Sequence, residues 1–226
     1  MKILHIVAGM TPESGVAAVV TRLAVEQQGL GCEVSVAFTS NNCLIASLPY
    51  CLIDKTLNCV SEEQVRGVTF RRCWPHFLYF SWGMLWGLGK MVKDADVVHV
   101  HSNWTFPVWW GAWLALRHQK TLVMSPHGCL DPVRLKHSGW KKRLVGWIDR
   151  GLLRRASVVH ATCEEEAGWI QPVLKFESSK VEGAEDCRDS KWGGEVLKFE
   201  SSKVLINELN EFNELRQCQD SLKKLV

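Results

Sequence analysis

Between residues 96 and 128, two short apolar runs ending in histidine flank a stretch of helical length. The first is Asp96-Val97-Val98-His99-Val100-His101, followed by Ser102 and Asn103. The second is Thr121-Leu122-Val123-Met124-Ser125, followed by Pro126, His127 and Gly128. Apolar side chains at successive rather than alternate positions are what strands buried on both faces require, and such strands are parallel ones. Parallel neighbours need a long crossover, and residues 106–117 have the length for a helix. An open α/β sheet satisfies both demands. Ligands of such sheets bind beyond the carboxyl ends of the strands, which makes the terminal histidines site candidates.

The alternation continues along the chain. Strands are expected at 3–7, 33–38, 96–101, 121–125 and 157–161, with weaker signals at 51–53 and 68–70. Helices are expected at 15–28, 77–92, 106–117, 138–155 and 163–170. In the first helix, apolar positions 16, 19, 20, 23 and 24 give one buried stripe, and Gly29 and Gly31 end it. Thr162 reads as the cap of the last helix, with Glu164, Glu165 and Glu166 in its first turn. Successive right-handed βαβ units make this an α/β chain, a single Rossmann-like domain with a parallel sheet over 1–170 and a polar C-terminal tail over 171–226.

The tail differs in composition. Residues 1–170 carry 18 basic and 13 acidic side chains, residues 171–226 carry 9 and 11, and ten of the eleven tryptophans precede residue 171. A segment so charged and so poor in aromatic anchors reads as solvated, partly helical or disordered. Val173-Leu174-Lys175-Phe176-Glu177-Ser178-Ser179-Lys180-Val181 recurs unchanged at 196–204. Two copies do not make a solenoid, so the repeat reads as a sequence-level duplication. Leu205, Leu209, Phe212 and Leu222 would line one face of a terminal helix. The sheet's continuation is expected to be missing beyond residue 170.

Nine scattered cysteines with no Cys-x-x-Cys pair suit a reducing cytosol better than a disulfide framework or a zinc site. Residues 3–7 run at once into Gly9, Pro12 and Gly15, as a strand entering a loop rather than a secretory segment. Residues 74–89 are too short and too interrupted for a membrane span. A net charge of +3 argues for no nucleic-acid partner. The expected location is cytoplasmic, with a peripheral position at the inner face of the membrane.

Several motifs together resemble the N-terminal half of family 4 glycosyltransferases. They are Lys2-Ile3-Leu4-His5-Ile6-Val7, the Asp96–His101 run, Ser125-Pro126-His127-Gly128-Cys129-Leu130-Asp131-Pro132, Lys141-Lys142, and Arg155-Ala156-Ser157-Val158-Val159-His160-Ala161-Thr162 with Cys163, Glu164, Glu165, Glu166 and Ala167. The resemblance covers roughly 1–170. It implies the acceptor-binding domain of a GT-B fold, in an enzyme that transfers sugar from a nucleotide-sugar with retention of configuration. It implies no cofactor beyond the nucleotide-sugar substrate. The chain departs from the family where Ser14-Gly15 replaces a glycine pair and where no second, donor-binding domain follows. The reading is therefore of a truncated enzyme, doubtful in activity on its own. A non-catalytic acceptor-binding or regulatory module and a degenerate gene product are the alternatives.

The site expected from this resemblance has His127 as the catalytic group, since an imidazole titrates near working pH. His101 and Asn103 line the same crevice, Gly128 adjoins it, Gly15 permits a phosphate to approach the first helix, and Glu166 reaches it from the last helix. His99 is read as pointing to the opposite face from His101, and His160 as structural. Cys129, beside the site, reads as a small filler. No metal is expected, for want of a His/Cys ligand spacing. The acceptor is a saccharide or a lipid-linked saccharide. Residues 134–155 hold eight basic side chains against Asp149, and with Leu144, Trp147, Ile148 and Leu152 they form either a patch for anionic membrane or a helix covering the sheet. Trp104, Trp109, Trp110 and Trp113 are expected to pack a helix on the sheet rather than to stack on sugars.

Overall fold

The computed structural model describes residues 1–11, 13–41, 53–57, 65–136, 139–175, 196–198 and 203–206. Its strands are β1 (Lys2–Ile6), β2 (Glu33–Ser40), β3 (Ile53–Leu57), β4 (Val65–Arg71), β5 (Val97–His101), β6 (Thr121–Ser125), β7 (Val158–Ala161), β8 (Val196–Lys198) and β9 (Lys203–Ile206). Its helices are α1 (Gly15–Gly29), α2 (Trp82–Asp94), α3 (Phe106–Arg117), α4 (Pro132–Lys136), α5 (Gly139–Arg155) and α6 (Glu164–Lys175). The strands form one sheet in the order β3-β4-β2-β1-β5-β6-β7-β9-β8. Pairing is parallel from β4 through β9 and antiparallel at the two edges, β3 on β4 and β8 on β9. The chain is thus the α/β, Rossmann-like fold that the strand pattern predicts.

Strand parity divides the core in two. Successive side chains point to opposite faces. Leu4, Ile6, Val98, Val100, Leu122 and Met124 pack on one face, with Met84 and Leu88 of α2 and Val108, Ala112 and Ala115 of α3. Ile3, Val34, Val36, Val97 and Val123 pack on the other, with Val20 and Ala24 of α1. Having both faces covered is why these strands are apolar throughout.

Helix ends follow their local chemistry. The Ser14 hydroxyl accepts from Ala17 N–H and caps α1. At the far end Gly31 takes φ +81, its N–H donates to Gln28 O, and Cys32 N–H donates to Gln27 O. That reciprocal pair is the Schellman closure that a glycine in this position permits.

Several expected boundaries move. The segment predicted as one helix from residue 77 is a 3₁₀ turn at His76–Leu78, then α2, which starts only where the Ser81 hydroxyl caps Met84 N–H. A short helix, α4, was not anticipated; Pro132 opens it and the Asp131 carboxylate accepts from Val133 N–H. The last helix runs past residue 170 and carries Pro172 inside it, and Arg154 Nε donates to Val173 O near its end. Thr162 does not cap by accepting, since its hydroxyl donates to Glu166 Oε2 at 2.7 Å. The sheet does not stop at β7, because β9 pairs with it in parallel through Val158–Lys203 to Ala161–Ile206. Leu205, expected on a terminal helix, lies in β9; Leu209, Phe212 and Leu222 fall outside the described residues.

Candidate functional site

The carboxyl ends of β5, β6 and β7 carry a cluster of histidines on one face of the sheet. His99 and His101 are two residues apart on β5, so their side chains share a face, with ring centroids 4.1 Å apart. The expected division of the two between opposite faces is thereby corrected. His5 stands opposite His99 in the β1–β5 register and joins them. His127 follows β6, and His160 comes from β7.

Hydrogen bonds connect these rings into a line. Gln27 Oε1 on α1 meets His5 Nε2 at 2.7 Å, His5 Nδ1 meets His101 Nε2 at 2.9 Å, and His101 Nδ1 meets His127 Nε2 at 2.9 Å. Burial depresses every inner ring: His5 to about 4 against the pull of its Gln27 hydrogen bond, and His99 and His101 well below their usual value, with the neighbouring histidines adding to the effect on those two. The rings are therefore neutral at pH 7, with one N–H each. Gln27 Oε1 can only accept, so His5 donates from Nε2 and accepts at Nδ1. His101 then donates from Nε2 and accepts at Nδ1, and His127 donates from Nε2. The order of tautomers leaves His127 Nδ1 as a bare acceptor. A second branch runs through the Ser125 hydroxyl, 2.7 Å from His99 Nε2 and 2.8 Å from His160 Nδ1. Desolvation holds His160 near 4.

His127 is half-buried and sits at φ 52, with Gly128 at φ +70. Burial lowers its pKa, and the nearby Glu166 charge partly offsets this. The left-handed pair is held by Glu166, which is 1% exposed. Glu166 Oε1 accepts Gly128 N–H at 2.6 Å, and Oε2 accepts both Thr162 N–H and the Thr162 hydroxyl. With both oxygens engaged inside the protein, Glu166 braces the 127–128 turn. His101 is fully buried, one ring behind His127, and reaches the crevice only through it. His101 and Glu166, both expected in substrate contact, are thus buried behind His127 and its turn.

Asn103 behaves differently. It is 3% exposed, and neither Oδ1 nor Nδ2 has a hydrogen-bond partner among the described residues. An orphaned buried amide costs about 1–3 kcal/mol, so such a group calls for a ligand or a water. The loop around it is strained, with Ser102 at φ 71 and Trp104 at φ 66. Asp149, which sequence reasoning passed over as the lone acid in a basic stretch, fastens that loop. Its carboxylate accepts Trp104 N–H at 3.2 Å and Trp109 Nε1–H at 2.9 Å. Burial raises its pKa to about 6 against the pull of those hydrogen bonds. Gly15 opens α1 in exposed space where an added Cβ would touch nothing within 4 Å. Burial pushes the Cys129 thiol up, away from the thiolate a nucleophile needs.

His5, His99 and His101 each present a ring nitrogen within 4.8 Å of the others and could surround a cation. Their positions 94 residues apart hide this trio from any spacing motif. Both nitrogens of His5 and of His101 are already satisfied by hydrogen bonds, so the relay is complete as it stands. His5, Gln27 and Ser125 were the members missed in the sequence, and strand parity at 99 and 101 was the available signal.

Comparison with known families matches residues 14–182 to the glycosyl transferase 4-like domain. The chain belongs to this family. The glycosyl transferase 4-like stretch opens at the α1 cap, Ser14, and contains β5, β6, β7 and α6, hence every site residue except His5. A search of curated proteins gives no match. Among solved structures, the sucrose-phosphate synthase of Thermosynechococcus elongatus is similar at 15% identity and TM-score 0.49, covering 76% of this chain and 44% of that one. The α,α-trehalose 6-phosphate synthase of Burkholderia multivorans is similar at 12% identity and TM-score 0.36, covering 91% and 46%. The chain spans less than half the length of either structure.

Proposed function

We propose that this domain is the acceptor-binding half of a retaining glycosyltransferase of the GT-B kind. The reaction moves a sugar from a nucleotide-sugar to a saccharide or lipid-linked acceptor, in cell-surface polysaccharide synthesis. The observation that carries the reading is the bare Nδ1 of His127, held on a braced left-handed turn beyond the carboxyl ends of β5 and β6. That nitrogen accepts a hydrogen bond from the acceptor hydroxyl. The unpartnered amide of Asn103 supplies a second polar contact. Gly15 leaves the α1 N-terminus open to a donor phosphate, which helix N–H groups stabilise. Transfer also needs a donor-binding half, and no second α/β domain occurs among the described residues. That half comes from further chain or from a separate protein.

The basic segment 134–155 contributes electrostatic attraction to an anionic membrane in this reading. Ile148 and Leu152 of α5 pack into the core, whereas Trp147 of the same stretch is exposed.

Two measurements test the proposal. A radiolabelled-donor assay of the purified chain is expected to show little or no turnover, and ordinary turnover would refute the need for a second half. Titration with candidate acceptor saccharides should show His127→Ala and Asn103→Ala each weakening binding about tenfold, the worth of one hydrogen bond to a buried polar group. Unchanged affinity in both variants would remove the acceptor site from this crevice. A non-catalytic acceptor-binding module would show the same affinities but no activity with any donor domain.

A further inference from the structure

The outer side of α2 and α3 carries large aromatic side chains in the open. On α2, Trp82 and Trp86 stand one turn apart, 55% and 69% exposed; Trp113 on α3 is 48% exposed. Just before α2, a loop closed by Cys73 N–H on Phe80 O presents Trp74 and Phe77, 81% and 72% exposed. Trp82 and Trp113 are the two ends of one continuous line of rings. Trp82 meets Phe80 at 5.0 Å between centroids, Phe80 meets Phe106 at 4.7 Å, Phe106 meets Trp110 at 6.3 Å, and Trp110 stacks on Trp113 at 4.9 Å. Trp110 Nε1 donates to Leu85 O, tying α3 to α2 across the patch. Scattered single apolar residues need no account, but a connected aromatic surface does.

Cations follow the rings. Lys90 is one turn beyond Trp86 and Lys93 lies on the same stripe of α2, while Arg117 is one turn beyond Trp113. Lys93, Arg117 and Lys120 gather around His118, whose pKa is lowered by partial desolvation first and then by those three charges. Asp94 and Asp96 follow Lys93 in sequence, and the Asp96 carboxylate accepts Lys2 N–H at 2.8 Å. Indole rings with a band of lysine and arginine beside them are the composition of an interfacial surface, where rings sit at headgroup level and cations meet anionic lipid. Protein-binding patches are also rich in aromatic residues but depleted of lysine, and three of the four cations here, Lys90, Lys93 and Lys120, are lysines. No helix among the described residues is long and apolar enough to cross a membrane.

We propose that the α2–α3 face docks on the surface of an anionic phospholipid bilayer, with Trp82, Trp86 and Trp113 inserted and Lys90, Lys93 and Arg117 on the headgroups. This goes beyond the proposed function, since it requires no transferase activity, and it uses a surface separate from the basic segment 134–155.

The test is co-sedimentation of the full chain with vesicles of phosphatidylcholine alone or mixed with phosphatidylglycerol. Binding is expected with the anionic vesicles and should fall as salt rises. The double variant Trp86→Ser, Trp113→Ser should partition at least about tenfold less, with an unchanged far-UV circular dichroism spectrum showing that the fold survives loss of the Trp110–Trp113 stack. Lys90→Glu with Lys93→Glu should abolish the preference for phosphatidylglycerol. Absence of binding to either vesicle overturns the proposal. So does binding that ignores the tryptophans and is lost only on reversing Arg150 and Arg155 of α5. A concentration-dependent dimer that the tryptophan substitutions disperse, without vesicle binding, overturns it in favour of a second copy on this face.

Discussion

The turn at His127 and Gly128 is dear in backbone terms, because an L-residue in the left-handed region costs about 1–2 kcal/mol. Its stability rests on one side chain. Glu166 receives three donors, two of them backbone N–H groups from separate loops. Glu166→Gln keeps the shape but turns an amide donor towards donors. We expect a loss of about 1–3 kcal/mol in urea unfolding, and weaker acceptor binding because the turn relaxes. A variant as stable as the parent would show that the carboxylate is dispensable. The sequence displayed Glu166 as one of three helix-opening acids, and only the resemblance singled it out from Glu164 and Glu165. What sets it apart is its position at the third helical residue, from which a side chain reaches back over the helix start.

At the scale of elements, α3 lies close on β1 because Gly111 has no side chain. A Cβ there would come 2.5 Å from Ile6 Cδ1 and 3.3 Å from Ile6 Cγ2. Ile6 is fully buried, so the clash cannot be relieved into solvent. Gly111→Ala should cost about 1–3 kcal/mol by overpacking, despite its better helix propensity, as read from the midpoint of a denaturant curve. A gain in stability would mean that the helix rides farther from the sheet than the structure shows. Element identity was legible wherever periodicity was strong, and α3 and β6 have the bounds that the sequence pattern predicts. It was not legible past residue 170, where the helix was expected to end and α6 instead runs on through Pro172. Nor could it be in the duplicated peptide. Val173-Leu174-Lys175 ends a helix, whereas the identical Val196-Leu197-Lys198 forms a strand. The same three residues take the conformation that their neighbours in space can use.

For the molecule as a whole, the buried histidines tie stability to pH. The folded state keeps His5 and His160 neutral down to about 4, and His99 and His101 are depressed as well. In the unfolded chain these rings titrate near 6.5. Between those values the unfolded state binds more protons, so stability rises with pH and is lost as pH falls from about 6.5 towards 4. Each such histidine contributes a slope of up to about 1.4 kcal/mol per pH unit. Thermal melts from pH 7.5 to 4.5 should show a steep fall in Tm, reduced in His99→Phe; a flat profile would mean that the rings are hydrated. The sequence by itself determined the α/β class, the sheet-covering helices and the placing of His127 after a strand, because periodicity and strand-end position are local properties. Only the tertiary structure decided that His5, Gln27, His101 and His127 form one line, that residues from the tail extend the sheet, and that α2 and α3 leave their aromatic side uncovered. Those facts depend on strand order and register, which bring together residues far apart in the chain, and no local pattern carries that information.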